Sequence, residues 1–259
     1  MPGAMRADQL LVDRGLAATR SQAQRLIANG VRWFDGREWK PVAKNGDELP
    51  AAAQVEVLDT AETRYVSRGG LKLEGALRTA VLDVSGWRCL DVGQSTGGFT
   101  DCLLRHGAAG VTGVDVGHGQ LHPSLRADPR VSALEKVNAR TLDALDWPAL
   151  GVVGGFDLAV GDLSFISLTL VLPAIARVVR PGGDLLLLVK PQFELQPGQI
   201  GKGGVVRDAA LYPVVEQRLR EACAALALPV LGWFDSPIAG GDGNREFFIH
   251  ARRDPARAT

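Results

Sequence analysis

Cysteine and histidine are scarce in this chain of 259 residues, and neither is spaced for metal or disulfide chemistry. Cys89, Cys102 and Cys223 form no C-x-x-C pair and the four histidines make no ligand pattern, so no metal is expected. Cys89 and Cys102 fall where packing, not nucleophilic chemistry, is expected. Long apolar runs are missing too. Stretches such as residues 185–189 fall far short of a membrane span, and the opening Met-Pro-Gly-Ala-Met-Arg-Ala-Asp lacks the apolar core of a signal peptide. No basic amphipathic helix of membrane type stands in their place. A cytoplasmic protein is the expectation. Net charge is also absent: 29 basic residues offset 29 acidic ones, so bulk electrostatics name no partner.

What is present is an ample core, with 46% apolar residues, and room for one large domain and a small one. The charges are unevenly spread. Residues 1–45 carry eight bases (Arg6, Arg14, Arg20, Arg25, Arg32, Arg37, Lys40, Lys44) against four acids (Asp8, Asp13, Asp35, Glu38), a net of +4 that leaves −4 elsewhere. That asymmetry suggests a basic module attached to a near-neutral body.

The body is organised around residues 88–106. A short apolar strand ends at Asp91, a glycine-rich turn follows, and a helix starts near Gly97 and Gly98. Gly93, Gly97 and Gly98 permit backbone conformations closed to residues with a Cβ and let a ligand approach closely. The helix start adds unpaired N–H groups, helped by Ser95 and Thr96 in the turn. A dinucleotide fold requires G-x-G-x-x-G here, but Asp91 takes the place of the first glycine. A carboxylate there repels a pyrophosphate but accepts from an amino group. A second strand closes on Asp115, where a carboxylate reaches ribose hydroxyls. Asp-x-Gly-x-Ser-Thr-Gly-Gly with this second acid resembles the S-adenosylmethionine site of a class I methyltransferase. Asn138, after a third strand over 131–137, either meets an adenine edge or is a plain loop residue.

Taken in order, an amphipathic helix begins around Leu10 and stops near Gly15, and a second starts at Thr19 with Ala23, Leu26 and Ile27 buried. Short strands follow at 31–33, 39–42 and 55–58. The spacing of Arg6, Asp8, Leu10, Leu11, Arg14, Gly15, Leu16, Arg20, Ala23, Leu26, Ile27, Gly30 and Val31 resembles the S4 RNA-binding domain. One departure is Trp33-Phe34-Asp35-Gly36 where that domain has Val-Asn-Gly. The resemblance implies a small αL-type fold over residues 5–60 that grips structured RNA, with Arg6, Arg14, Arg20, Arg25 and, further on, Arg68 as contacts. A linker over 61–67 then leads to a domain over 68–252. A helix after Gly69-Gly70 carries Lys72, unfavourably placed near a helix start and so either functional or simply solvated. Further strands are expected at 156–161, 184–190, 230–234 and 246–251, with helices at 166–179 and 208–226 and Pro181-Gly182-Gly183 as a stop. This alternation predicts an α/β, doubly wound sheet with ligands at the strands' carboxyl ends.

Several strand-end chemistries are missing. No Asn/Asp-Pro-Pro-Tyr/Phe follows the fourth strand, which argues against N6-adenine methylation, and no cysteine follows it or the fifth, which argues against C5-cytosine methylation. Present instead are Asp162, Lys190 and Glu246. A paired lysine there can take or steer the proton of a ribose 2′-hydroxyl, although each residue is also compatible with a structural ion pair. Residues 61–251 resemble the FtsJ-like ribose 2′-O-methyltransferases, which use a Lys-Asp-Lys-Glu tetrad. By motif its members are Lys72 in Arg-Gly-Gly-Leu-Lys-Leu, Asp162 in Gly-Asp-Leu-Ser-Phe, Lys190 in Val-Lys-Pro-Gln-Phe-Glu and Glu246 in Gly-Asn-Arg-Glu-Phe-Phe. With the S4-like module the chain is similar to the TlyA family, some of whose members are named hemolysin. That resemblance implies S-adenosylmethionine as cofactor, bound by Asp91, Gly93, Ser95, Thr96, Gly97, Gly98, Asp115, Asn138 and Asp162. It also implies methyl transfer to a cytidine 2′-oxygen in ribosomal RNA, with ribosomal subunits as partners. Gln94, where alanine is common, is expected to change little. A non-enzymatic RNA-binding or ribosome-assembly factor and a membrane-active hemolysin are the competing readings.

Overall fold

The computed structural model describes residues 3–58, 64–240 and 243–255, so part of the expected 61–67 linker lies outside the described residues. The chain divides into two compact units, Met1–Arg68 and Gly69–Thr259.

The first unit runs β1 (Ala4–Arg6), α1 (Ala7–Asp13), α2 (Arg20–Gly30), β2 (Val31–Phe34), β3 (Trp39–Pro41), β4 (Glu48–Pro50) and β5 (Gln54–Val57). Thr19 starts α2 by accepting the Gln22 N–H, as an N-cap should. The predicted stripe Ala23, Leu26 and Ile27 is buried against Ala7, Leu10, Leu11 and Val31. β2 pairs antiparallel with β3 and β5, and β1 pairs antiparallel with β4. The short β1–β4 ribbon was not evident from the sequence. Three-residue strands carry too little alternation to announce themselves.

The second unit continues with α3 (Gly69–Ala80), β6 (Arg88–Val92), α4 (Gly98–Arg105), β7 (Gly110–Asp115), α5 (Pro123–Arg126), β8 (Val131–Glu135) and β9 (Phe156–Gly161). After these come α6 (Leu172–Val178), β10 (Val179–Val189), α7 (Pro191–Glu194), α8 (Leu211–Ala225), β11 (Val230–Asp235) and β12 (Phe247–Arg252). The seven strands form one sheet in the order β11-β12-β10-β9-β6-β7-β8. All neighbours are parallel except β12, which runs antiparallel to both β10 and β11. Strand order reverses between β6 and β9, which is where a doubly wound sheet opens a crevice. The apolar run of β10 is buried on both faces: Leu185, Leu187 and Val189 join the cluster containing Ile175 and Leu219, while Leu188 lies opposite Phe248, which stacks on Phe99 of α4.

Three local expectations fail. Helix 166–179 is a 3-10 turn at Leu168–Leu170 followed by α6, which ends at Val178. Pro181-Gly182-Gly183 does not stop a helix but lies within β10, where the register to β9 shifts between Val179 and Asp184. Gly182 has φ +75° and donates to Arg253 O, while Arg253 N donates to Gly183 O, so tertiary pairing turns a helix breaker into a bulge. Likewise β8 ends at Glu135 because Lys136 adopts φ +60°.

Candidate active site

The strand ends bring the expected acids and lysines of the second unit together. Parallel pairing aligns Val92 with Gly161 and Gly161 with Leu187, so Asp91, at the end of β6, and Asp162, just after β9, lie near the end of β10. Antiparallel pairing of Val189 with Phe247 then sets Lys190, the residue after β10, facing Glu246, the residue before β12. Lys72 comes from α3. Its helix lies close to the loop after β11: a Cβ on Gly75 would fall 2.6 Å from Pro237 Cγ, so glycine permits the approach.

Two ion pairs result. Lys72 Nζ lies 2.6 Å from Glu246 Oε2 and Lys190 Nζ lies 2.5 Å from Asp162 Oδ1. Lys190 also donates to Ser164 Oγ at 2.8 Å. Burial pushes the Glu246 carboxyl up, Lys72 opposes that shift, and Asp162 and Lys190 act on it with opposite signs, so the two pairs sense one another. Glu194, buried after Lys190, accepts from Ser167 Oγ at 2.5 Å and Leu168 N at 2.7 Å, which clamps the Asp162–Ser167 loop to α7. Within that loop Phe165 is 91% exposed, adopts φ +64° and lies 5.1 Å from Phe193, centroid to centroid.

The glycine turn adjoins this cluster. A Cβ at Gly93 would come 2.8 Å from Asp162 O, and one at Gly97, whose φ is +95°, would strike Leu125 at 2.4 Å. Gly98 opens α4. Asp115 accepts from Ser95 N at 2.8 Å and Gly117 N at 2.7 Å, which staples the turn to the next loop. Thr96 is exposed and Asn138, also exposed, caps the 3-10 turn Ala139–Ala144 through Arg140 N. Asp91 is buried, and burial, aided by Asp162 and Asp115, pushes its carboxyl up to about 7 against the Thr100 hydroxyl. Its Oδ2 accepts from Thr100 Oγ1 at 2.7 Å, while Oδ1 has no partner among the described residues. A buried acceptor left open in this way fits a ligand that donates.

The arginines of the first unit divide by role. Arg6 and Arg20 both pair with Asp8 at 3.0 Å, with about half of each side chain exposed. Arg14 instead donates to Ala51 O and Ala53 O, each at 2.5 Å, and so ties the end of α1 to the turn between β4 and β5. Arg25 lies on α2, and Arg68 ends the unit.

Ser164, Phe165, Thr100 and Glu194 are absent from the residues that motif reasoning selected, although Ser164, Phe165 and Glu194 sit inside quoted motifs. The cysteines are all buried and free, and burial raises the Cys89 and Cys223 thiols, which disfavours a nucleophilic role. Among the described residues no His/Cys/Asp/Glu group could hold a metal, and no helix is long and apolar enough to cross a membrane.

A sheet of this order, with a glycine turn after β6 and acids at successive strand ends, defines a methyltransferase of the Rossmann-like class. The chain belongs to the FtsJ-like methyltransferase family, whose sequence model matches residues 65–253. It is 46% identical to the 16S/23S rRNA (cytidine-2′-O)-methyltransferase TlyA of Mycobacterium tuberculosis over 98% of this chain and 91% of that protein. It is 35% identical to Hemolysin A of Brachyspira hyodysenteriae, over 95% of this chain and 99% of the other. A solved structure of a candidate hemolysin from Streptococcus thermophilus is similar with a TM-score of 0.73 at 39% identity, covering 98% of this chain and 90% of that one.

Proposed function

We propose that the protein transfers a methyl group from S-adenosylmethionine to the 2′-hydroxyl of a cytidine in ribosomal RNA, acting in the cytoplasm on ribosomal subunits. The observation that carries the reading is the meeting of two lysine–carboxylate pairs at strand ends beside a turn with an unpartnered Asp91 oxygen. The substrate follows the M. tuberculosis relative, named for 16S/23S rRNA cytidine 2′-O-methylation. Asp91, Asp115 and the turn 93–98 would hold the cofactor, with Asn138 at the adenine end. When bound, the cofactor supplies an electrophilic methyl on a sulfonium.

The chain's own residues do the rest. Lys190 accepts the proton that the 2′-hydroxyl loses as its oxygen attacks the methyl, while Asp162 and Ser164 fix the direction of the amine. Lys72 and Glu246 form a sealed charge pair behind it that holds the site's field in place. Positioning then supplies much of the acceleration. Exposed Phe165, backed by Phe193, offers a face on which an unstacked base can lie. The first unit serves as an S4-type module whose cations, led by Arg6 and Arg20, engage phosphates.

The test is transfer of tritiated methyl from S-adenosylmethionine to purified 30S and 50S subunits, with the site mapped by reverse transcription at low nucleotide concentration. Label at a cytidine 2′-oxygen, lost in Lys190→Ala, is expected. Label on a base, or retained turnover in Lys190→Ala, overturns the reading.

A further inference from the structure

Gln94 stands in the glycine turn, yet its side chain is withdrawn from water: it is 6% exposed, beside Thr100 at 0% and Asp91 at 1%. Gln94 Nε2 donates to Thr100 Oγ1 at 2.9 Å, and Thr100 Oγ1 donates to Asp91 Oδ2 at 2.7 Å. A hydroxyl has one proton to give. With a carboxylate taking that proton, only a donor fits on the other side, so Gln94 presents its NH₂ group and not its carbonyl. The direction of the relay is thereby fixed from amide to hydroxyl to carboxylate.

The room for this amide comes from across the sheet. Gly113 pairs with Asp91 between β7 and β6, and a Cβ built on it would lie 2.0 Å from Gln94 Cδ, 2.1 Å from Nε2 and 2.3 Å from Oε1. No side chain at 113 can coexist with Gln94 in this position. The Gln94 backbone is tied down as well: its N–H donates to Val114 O at 3.2 Å and its carbonyl accepts from Gly97 N at 2.8 Å.

We infer that Gln94 is a positioning residue for the cofactor: seated in the gap over Gly113, it fixes the Thr100 hydroxyl on Asp91 Oδ2 and leaves Oδ1 as the atom that accepts from the ligand. The inference rests on the methyltransferase reading of this turn. Without the amide, Thr100 can rotate toward other acceptors, and Asp91 loses an aligned bond that favours its charged form against burial. An alanine in the turn would leave the relay unmade and the space over Gly113 unfilled.

The experiment is calorimetric titration of S-adenosylmethionine into the full-length protein, together with steady-state methyl transfer. Gln94→Leu fills the space without a donor. It should weaken binding and raise KM for the cofactor about tenfold, the upper end for one neutral hydrogen bond, while kcat at saturation stays within about twofold. Gln94→Glu should bind more weakly still, because its carboxylate draws the Thr100 proton away from Asp91 and adds a like charge. Thr100→Val should match Gln94→Leu, and the two together should lose no more than either alone. Gly113→Ala should impair wild type but add little to Gln94→Ala. Thermal melts of each free variant separate loss of fold from loss of binding. Wild-type affinity in Gln94→Leu, or additive losses in the Gln94→Leu/Thr100→Val pair, overturns the relay. Failure of wild type to bind S-adenosylmethionine overturns instead the reading of the turn on which it rests.

Discussion

The two lysine–carboxylate pairs have the same chemistry and meet different amounts of water. Side-chain exposure is 9% and 3% for Lys72 and Glu246, against 13% and 25% for Lys190 and Asp162. A sealed pair is costly to break, since removing one member strands a buried charge, whereas the carboxylate of a partly exposed pair keeps some of its surface in water and loses less. The difference teaches that like pairs in one cluster need not be alike in burial: one is closed off from water and the other keeps an exposed side.

The largest expected effect tests the open side. Lys190→Ala should lower methyl transfer about a thousandfold, within the range for loss of a proton-transfer group, while cofactor affinity and melting temperature stay near wild type. A large fall in melting temperature would erase the contrast. Lys72→Ala should show the reverse balance, losing about 4 kcal/mol of folding stability in urea titration because Glu246 is left buried and unpaired. Replacing both by apolar residues should restore stability but not turnover. Phe165→Ala sharpens the open side further: kcat/KM for ribosomal subunits should fall about tenfold, the scale of one stacked base, with cofactor binding unchanged.

The smallest effect concerns pH and the sealed acids. Burial raises Asp91 to about 7 and raises Glu246 in the same direction. An acid whose folded pKa lies above its unfolded value binds extra protons in the folded state between the two. Its contribution to stability is therefore full below about pH 4 and is lost as pH climbs through about 7. Melting temperature of the ligand-free protein should accordingly rise as pH is lowered from 7.5 to about 6. Affinity for S-adenosylmethionine should move oppositely, a few-fold stronger at pH 8 than at pH 6, and Asp91→Asn should flatten both trends.

Much of this was legible in the sequence because strand ends are punctuated there. Asp91, Asp115 and Asp162 each close an apolar run, so their gathering on one edge follows once the sheet is parallel. Lys190 was legible for the same reason. Apart from the family motif, Lys72 stood out only as an awkward lysine near a helix start; the approach of its helix to the loop after β11 needs Gly75 against Pro237, a contact 162 residues apart in sequence. The burial of Gln94 was hidden although Gly113 is close in sequence, since only the pairing of β6 with β7 sets that glycine beneath it. Pro181-Gly182-Gly183 misled because a local propensity was overruled by pairing with Arg253. The arginines expected to meet RNA were legible as charge but not as geometry, for Arg14 spends its donors on backbone carbonyls of the turn at 51–53.

In the first unit, one carboxylate has a consequence for how cations meet a polyanion. Asp8 is fully buried and accepts from Arg6, Arg20 and Gln24, which holds its carboxyl well below the usual range. An arginine waving freely forfeits about 2 kcal/mol of rotamer freedom when it is immobilised. Arg6 and Arg20 have given up much of that freedom before any partner arrives, yet each keeps about half its surface open. Two half-exposed guanidinium groups are therefore held on one carboxylate, and so at one separation from each other. Their charge is thus presented at a fixed gauge and not as a diffuse cloud.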